Sequence, residues 1–266
     1  MANVSISKAW EETTAIIARD GKLFATIALA LFVLPGVISD VVTPTSAAGG
    51  LPKLGYWTVI TFIALLIGLV GQLALIRLAM GSRQTVGETI GHAFGRAPAY
   101  LGATILWILP FALIIGGIAG AAGAQGAVAS PRISPGAAII ILVAVAAMVF
   151  FAIRMLMTSP VASAERIGPI AILKRSWELT AGNWWRLFGF FLLFVIAALI
   201  VLAAVASVMG LLARLLFGSL EPLTIGALAV ALVGQLVAAA ITVLLMVMLA
   251  RIYVQLSGQG QAELFR

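Results

Sequence analysis

Residues 187–213 read LFGFFLLFVIAALIVLAAVASVMGLLA, 27 positions without one charged side chain. A helix at the surface of a soluble protein needs a polar face recurring every 3.6 residues. This run offers only Ser207 as a side-chain hydrogen-bonding group. At 1.5 Å per residue a helix of that length reaches about 40 Å, beyond a bilayer hydrocarbon core of about 30 Å. The stretch therefore reads as a membrane span that tilts or projects. Five further runs share its character, at about 23–41, 56–80, 99–124, 136–157 and 223–250. The expected fold class is all-α: a polytopic membrane bundle of six transmembrane helices, with residues 1–266 forming one integral membrane domain.

Composition agrees. Hydrophobic residues make up 63% of the chain and charged residues 9%, against about 25% charged in a soluble domain. The net charge of +7 points to Lys and Arg beside anionic lipid on one face of the membrane, not to nucleic acid. The absence of cysteine excludes disulfides, thiolate catalysis and Cys-ligated metal. The first apolar run follows Glu11, Glu12 and Asp20, unlike the short basic start of a cleavable signal, and is expected to be a retained helix.

The connections alternate in charge. With the N-terminus inside, 13 of the 16 Lys and Arg residues fall on the cytoplasmic side, leaving Lys53, Arg132 and Arg214 outside. The positive-inside rule then puts both termini in the cytoplasm. The third span carries Pro110 and a small-residue run, Gly116 to Gly123. Its GxxxG spacing suits close helix packing or, alternatively, gating, and the proline suits a kink.

Three cytoplasmic segments share a basic, small, aromatic triplet: Lys8-Ala9-Trp10, His92-Ala93-Phe94 and Arg175-Ser176-Trp177. The aromatic positions lie 84 and 83 residues apart, a regularity that marks an internal repeat. Arg19 and Arg186 each lie nine residues beyond their Trp. Apolar positions at Ile6, Trp10, Thr13 and Ile17, and their counterparts in the other segments, fall on one helical face. Thr85 with Glu88 forms a capping box, and Gly168-Pro169 starts the third segment. Each unit (about 4–81, 84–158 and 168–256) is expected to be an interfacial amphipathic helix followed by a transmembrane hairpin. Units that cross twice keep one orientation and can surround a threefold axis along the membrane normal, unlike the inverted repeats of many transporters.

In the third unit, residues 171–189 read AILKRSWELTAGNWWRLFG. This stretch resembles the signature of bacterial proteins that carry the membrane domain of glycerophosphoryl diester phosphodiesterase. The resemblance implies a six-span protein of the bacterial inner (cytoplasmic) membrane. It does not imply phosphodiester hydrolysis, because in that family the chemistry belongs to a separate soluble barrel domain.

The residues themselves offer no catalytic set. There is one histidine and nine acids, and no HExxH, GxSxG or P-loop pattern. His92 sits where the other units have Lys8 and Arg175, so it reads as an interfacial basic residue. No catalytic residue, metal site or cofactor is expected, and the chain is not expected to be an enzyme. Gln72 and Gln235 are the deepest strongly polar groups; they suit interhelical hydrogen bonds or, alternatively, a substrate site. The candidate functional residues are a lipid- or partner-binding interfacial ring: Trp10, Arg19, Phe94, Arg96, Trp177, Trp184, Trp185 and Arg186. Arginine can bind lipid phosphate through paired hydrogen bonds, and tryptophan suits headgroup depth; the plainer alternative is positive-inside anchoring with an aromatic belt. The expected function is a non-catalytic scaffold, lipid-interacting module or partner subunit, with a permease for a small or amphiphilic solute as the alternative. The expected partners are anionic lipids of the cytoplasmic leaflet and another membrane protein. Single cysteines placed at Ser46, Ser130 and Ser219 should react with a membrane-impermeant maleimide added outside the cell; reaction from the cytoplasm alone would reverse the topology.

Overall fold

The computed structural model describes residues 4–43, 55–81, 85–124, 135–218 and 224–258. The labelling positions Ser46, Ser130 and Ser219, together with Lys53, Arg83, Arg132, Glu221, Glu263 and Arg266, lie outside them. The described residues are helical almost throughout. The helices are α1 Ile6–Ala28, α2 Leu34–Val42, α3 Tyr56–Ala79, α4 Val86–Ala124, α5 Pro135–Arg154, α6 Thr158–Ala164, α7 Pro169–Thr180, α8 Trp184–Phe217 and α9 Ile225–Leu256. Six are long and apolar enough to cross a membrane, so the six-span all-α bundle is the structure of this chain.

The junctions between the amphipathic segments and their spans differ. In the first unit α1 contains both, with a break at Asp20 (φ −111°, ψ 15°). In the second, α4 runs through Pro98 and Pro110 without interruption for 39 residues. In the third the chain leaves the helix after Thr180, turns through Gly182 at φ 81°, and restarts at Trp184. The expected interfacial helix is closed off by a full turn in the third unit and by a kink in the first, while in the second it runs straight into its span. The turn in the third unit has a local reason: Gly182 can take a left-handed conformation that closes one helix before the next begins.

A feature absent from the sequence reading is a π-helical turn, Leu29–Val33, joining α1 to α2. Pro35 has no N–H to give the Leu31 carbonyl, so the ladder widens, and the Leu34 N–H bonds five residues back to the Leu29 oxygen. The wide turn pushes Leu31 and Phe32 toward α3, where Gly71 receives them. A Cβ at Gly71 would stand 2.8 Å from a Phe32 ring carbon and 2.9 Å from Leu31 Cβ. Gly36 gives similar room to the Gln235 amide of α9. These are the tightest approaches at the described glycines. Gly116, by contrast, has no neighbour within 4 Å of where its Cβ would be among the described residues; the packing around its GxxxG partner Gly120 lies outside what the structure describes.

Within each hairpin the two spans pack together: α2 on α3, α4 on α5, and α8 on α9. Each first span also meets the second span of another hairpin: α1 on α9, α4 on α3, and α8 on α5. The order is cyclic. Burial is concentrated at the end that carries the triplets, where Leu73, Leu75 and Ile76 of α3 pack with Met248 and Ile252 of α9. The outer faces of the spans are apolar, as at Leu142 and Leu193, both 70% exposed, which is how a bilayer-facing surface must look. The described Lys and Arg residues gather at the triplet end, except Arg214 at the far end of α8. We call this the basic end.

Gly71→Ala should lower the thermal midpoint of the detergent-purified protein, by about 1–3 kcal/mol of stability, because neither Leu31 Cβ nor the π turn can retreat cheaply. Gly68→Ala, whose nearest neighbour would be a Phe32 ring carbon at 4.0 Å, should leave it unchanged or raise it.

Candidate lipid-facing site at the basic end

The triplets share a pattern of exposure. The small residue is buried completely in all three: Ala9, Ala93 and Ser176 each have 0% exposure. It marks where each amphipathic helix presses on the bundle, and a larger side chain would hold the helix away. The aromatic residue next to it is exposed, with Phe94 the most open of the three. Trp10 and Phe94 therefore sit at the border of the buried face, not within it as the apolar periodicity suggested.

The basic residues of the second and third triplets point into a polar network, and exposed Lys8 lies at its edge. Arg175 Nε donates to Glu165 Oε1 at 3.2 Å, and the Tyr253 hydroxyl donates to the same oxygen at 2.9 Å. The hydrogen bond to Glu165 raises the Arg175 guanidinium further above its ordinary range, with burial opposing. The His92 Nε2 lies 3.0 Å from the Ser163 carbonyl oxygen, and the Ser163 hydroxyl donates to the Leu73 carbonyl at 3.0 Å. Lys8 approaches Glu12 at 3.8 Å, and Arg251 Nε donates to Glu12 at 2.6 Å.

At the centre lies α6, buried from Thr158 to Ser163. Its terminal carbonyls need donors that a helix end cannot supply. Arg96 supplies them: Nε donates to Ala162 O at 3.0 Å, and Nη2 to Glu165 O and Ile167 O at 2.9 and 2.7 Å. Arg96 was expected in the lipid-binding ring. Its guanidinium is turned inward instead, engaged with three backbone oxygens. Sequence reading missed α6, Glu165 and Tyr253 as the partners of these basic groups. One signal was present: residues 155–164 carry no charge, which is unusual for a surface loop.

The other candidates fall into separate places. Arg19 pairs with its neighbour Asp20 at 2.7 Å on the outside of α1. Trp177, Trp184 and Trp185 do come together, with Phe150, Phe151 and Phe188. Trp184 stacks on Phe188 with the planes 5° apart. Arg154, not among the expected residues, lies 4.6 Å above the Trp177 ring and 5.5 Å from that of Phe150. Its Nε and Nη1 are buried without a hydrogen-bond partner among the described residues; the aromatic faces are the compensating contact. Trp185 is 76% exposed, and Arg186 beside it is exposed as well.

The deep glutamines are both engaged between helices: Gln235 donates to Asp40 at 2.8 Å, and Gln72 accepts from the Tyr100 hydroxyl at 3.4 Å. Among the described residues no group of three or more His, Cys, Asp or Glu is placed to hold a metal ion.

The fold and this arrangement of charges define a multi-pass helical membrane protein. Residues 134–264, spanning α5 to α9, match the family described as the membrane domain of glycerophosphoryl diester phosphodiesterase. The resemblance carried by residues 171–189 thus extends over that stretch. No curated protein and no solved structure matches the chain.

Arg96→Gln should lower the thermal midpoint, by about 2 kcal/mol of stability, since it leaves buried carbonyl oxygens without donors. Arg19→Gln removes only an exposed pair and should leave the midpoint within experimental error.

Proposed function

We propose that the chain is a non-catalytic, lipid-interacting membrane module whose basic end faces the cytoplasmic leaflet of a bacterial inner membrane. The observation that supports this most directly is the start of α8. Trp185 and Arg186 project together where a span leaves the polar network. Arg186 makes no hydrogen bond or ion pair among the described residues, while Arg96, Arg175 and Arg251 are all engaged within the protein. An arginine beside an exposed tryptophan suits a phospholipid headgroup, the guanidinium on the phosphate and the indole at the glycerol level. The remaining surface charge favours an anionic headgroup. A scaffold or subunit role would use the same end to hold a second membrane protein in a lipid-bound patch.

The test is lipid enrichment. The full chain is reconstituted in nanodiscs of phosphatidylglycerol and phosphatidylcholine, extracted gently, and its bound lipids are quantified. Phosphatidylglycerol should exceed its bulk fraction, and the Trp185→Ala, Arg186→Gln double variant should bring it back toward that fraction. Bulk composition around the native protein would overturn the reading.

A further inference from the structure

The exposed triplet aromatics stand over three comparable helix junctions, and only one of the three is filled by the protein. Trp177 meets α5, where the Phe150 and Phe151 rings lie 6.0 and 5.8 Å from it, centroid to centroid. Phe111 of α4 packs on Phe151 at 5.7 Å. Aromatic carbon occupies the space beneath Trp177. Phe94 stands instead over a groove of about 460 Å³ between the π turn, α3 and α4, bordered by Leu31, Ile63, Ile67 and Val70. Trp10 stands over one of about 510 Å³ between α1, α8 and α9, bordered by Phe190, Leu193, Phe194 and Met248. Each junction joins the amphipathic helix of one unit to the hairpin that precedes it in the cyclic order.

We propose that the grooves beneath Trp10 and Phe94 each seat one acyl chain of a phospholipid whose headgroup lies at the basic end. This deepens the lipid-interacting reading and rests on it. Both grooves continue directly into the bilayer-facing surface: Leu193 is 70% exposed and Ile63 is 50% exposed. Apolar walls facing each other across such a space lose their contacts unless methylene groups enter. The Trp10 groove carries both signs at its basic end: Glu11 borders it, and Arg186 supplies a cation. Arg186 precedes Phe190 by four residues, so it stands one turn nearer the basic end on the same face of α8. A chain lying along Phe190 and Leu193 brings its phosphate to that guanidinium. Phe150, Phe151 and Phe111 do at the third junction what the acyl chains do at the other two.

The experiment counts lipids. The full chain is reconstituted in vesicles of phosphatidylglycerol and phosphatidylethanolamine, released in mild detergent, and examined by native mass spectrometry. Ala197 borders the Trp10 groove and Ala97 the Phe94 groove. Ala197→Phe and Ala97→Phe should each retain about one phospholipid fewer than the native protein, because the added ring takes the space. Phe151→Ala opens the third junction and should retain more. Circular dichroism and gel filtration verify that each variant folds, and the gain in Phe151→Ala carries the test if a filled variant does not. Native lipid counts in all the folded variants overturn the acyl-chain grooves while leaving headgroup binding at Arg186 standing. A native protein that keeps no phospholipid overturns both.

Discussion

The Arg96 guanidinium holds three carbonyl oxygens at the end of α6, and the basic end is organised around that fact. A chain that turns at the edge of a bilayer cannot leave its backbone groups to lipid, because each unsatisfied group there costs several kcal/mol. Residues 155–168 turn at that edge, between α5 and α7. Ser176 and Thr180 donate to the Arg154 carbonyl at one side of the turn, Arg96 covers the other, and Ser163 ties it to α3. Among the described residues the fully buried polar side chains therefore cluster at this end, and the spans beyond it carry few polar groups, the Gln235–Asp40 pair among them.

This division separates the arginines by task. Those that meet carbonyls or carboxylates in the network fix the fold, as Arg96, Arg175 and Arg251 do. Arg154 is held by aromatic faces. Arg186, on the outward side of α8, is exposed and has no hydrogen bond or ion pair among the described residues. Composition alone treats all of them as one positive belt. Their different directions follow from which side of each amphipathic helix presses on the bundle, and the buried small residue of each triplet sets that side.

The third unit departs from the others in two linked ways. Its amphipathic helix is separated from its span by the turn at Gly182, and the junction beneath its Trp177 is packed with aromatic rings. A helix free of its span can settle onto its neighbours and close the space below. In the second unit the segment continues into the span through Pro98, in the first it is joined to its span by a kink at Asp20 with no intervening turn, and in both the groove beneath the aromatic stays open. The proposed occupancy by acyl chains follows from this difference.

The sequence by itself determined the six spans, their alternation, and the gathering of charge at one end. These depend on local hydrophobicity, and a run such as residues 187–213 leaves a helix across a bilayer as its one way to satisfy the backbone. The triplets were legible as well, because their spacing is carried by the chain. What the structure decided is where each polar side chain points. The inward turn of Arg96, the Glu165 and Tyr253 pairing with Arg175, the burial of α6, and the π turn seated on Gly71 each join residues distant in sequence. No local pattern specifies such a partner, since it depends on how the helices are set against one another. For the same reason the eight ring candidates were identifiable as interfacial residues, but their division among a structural cap, an exposed ion pair, an aromatic cluster, two groove borders and the exposed Arg186 was not.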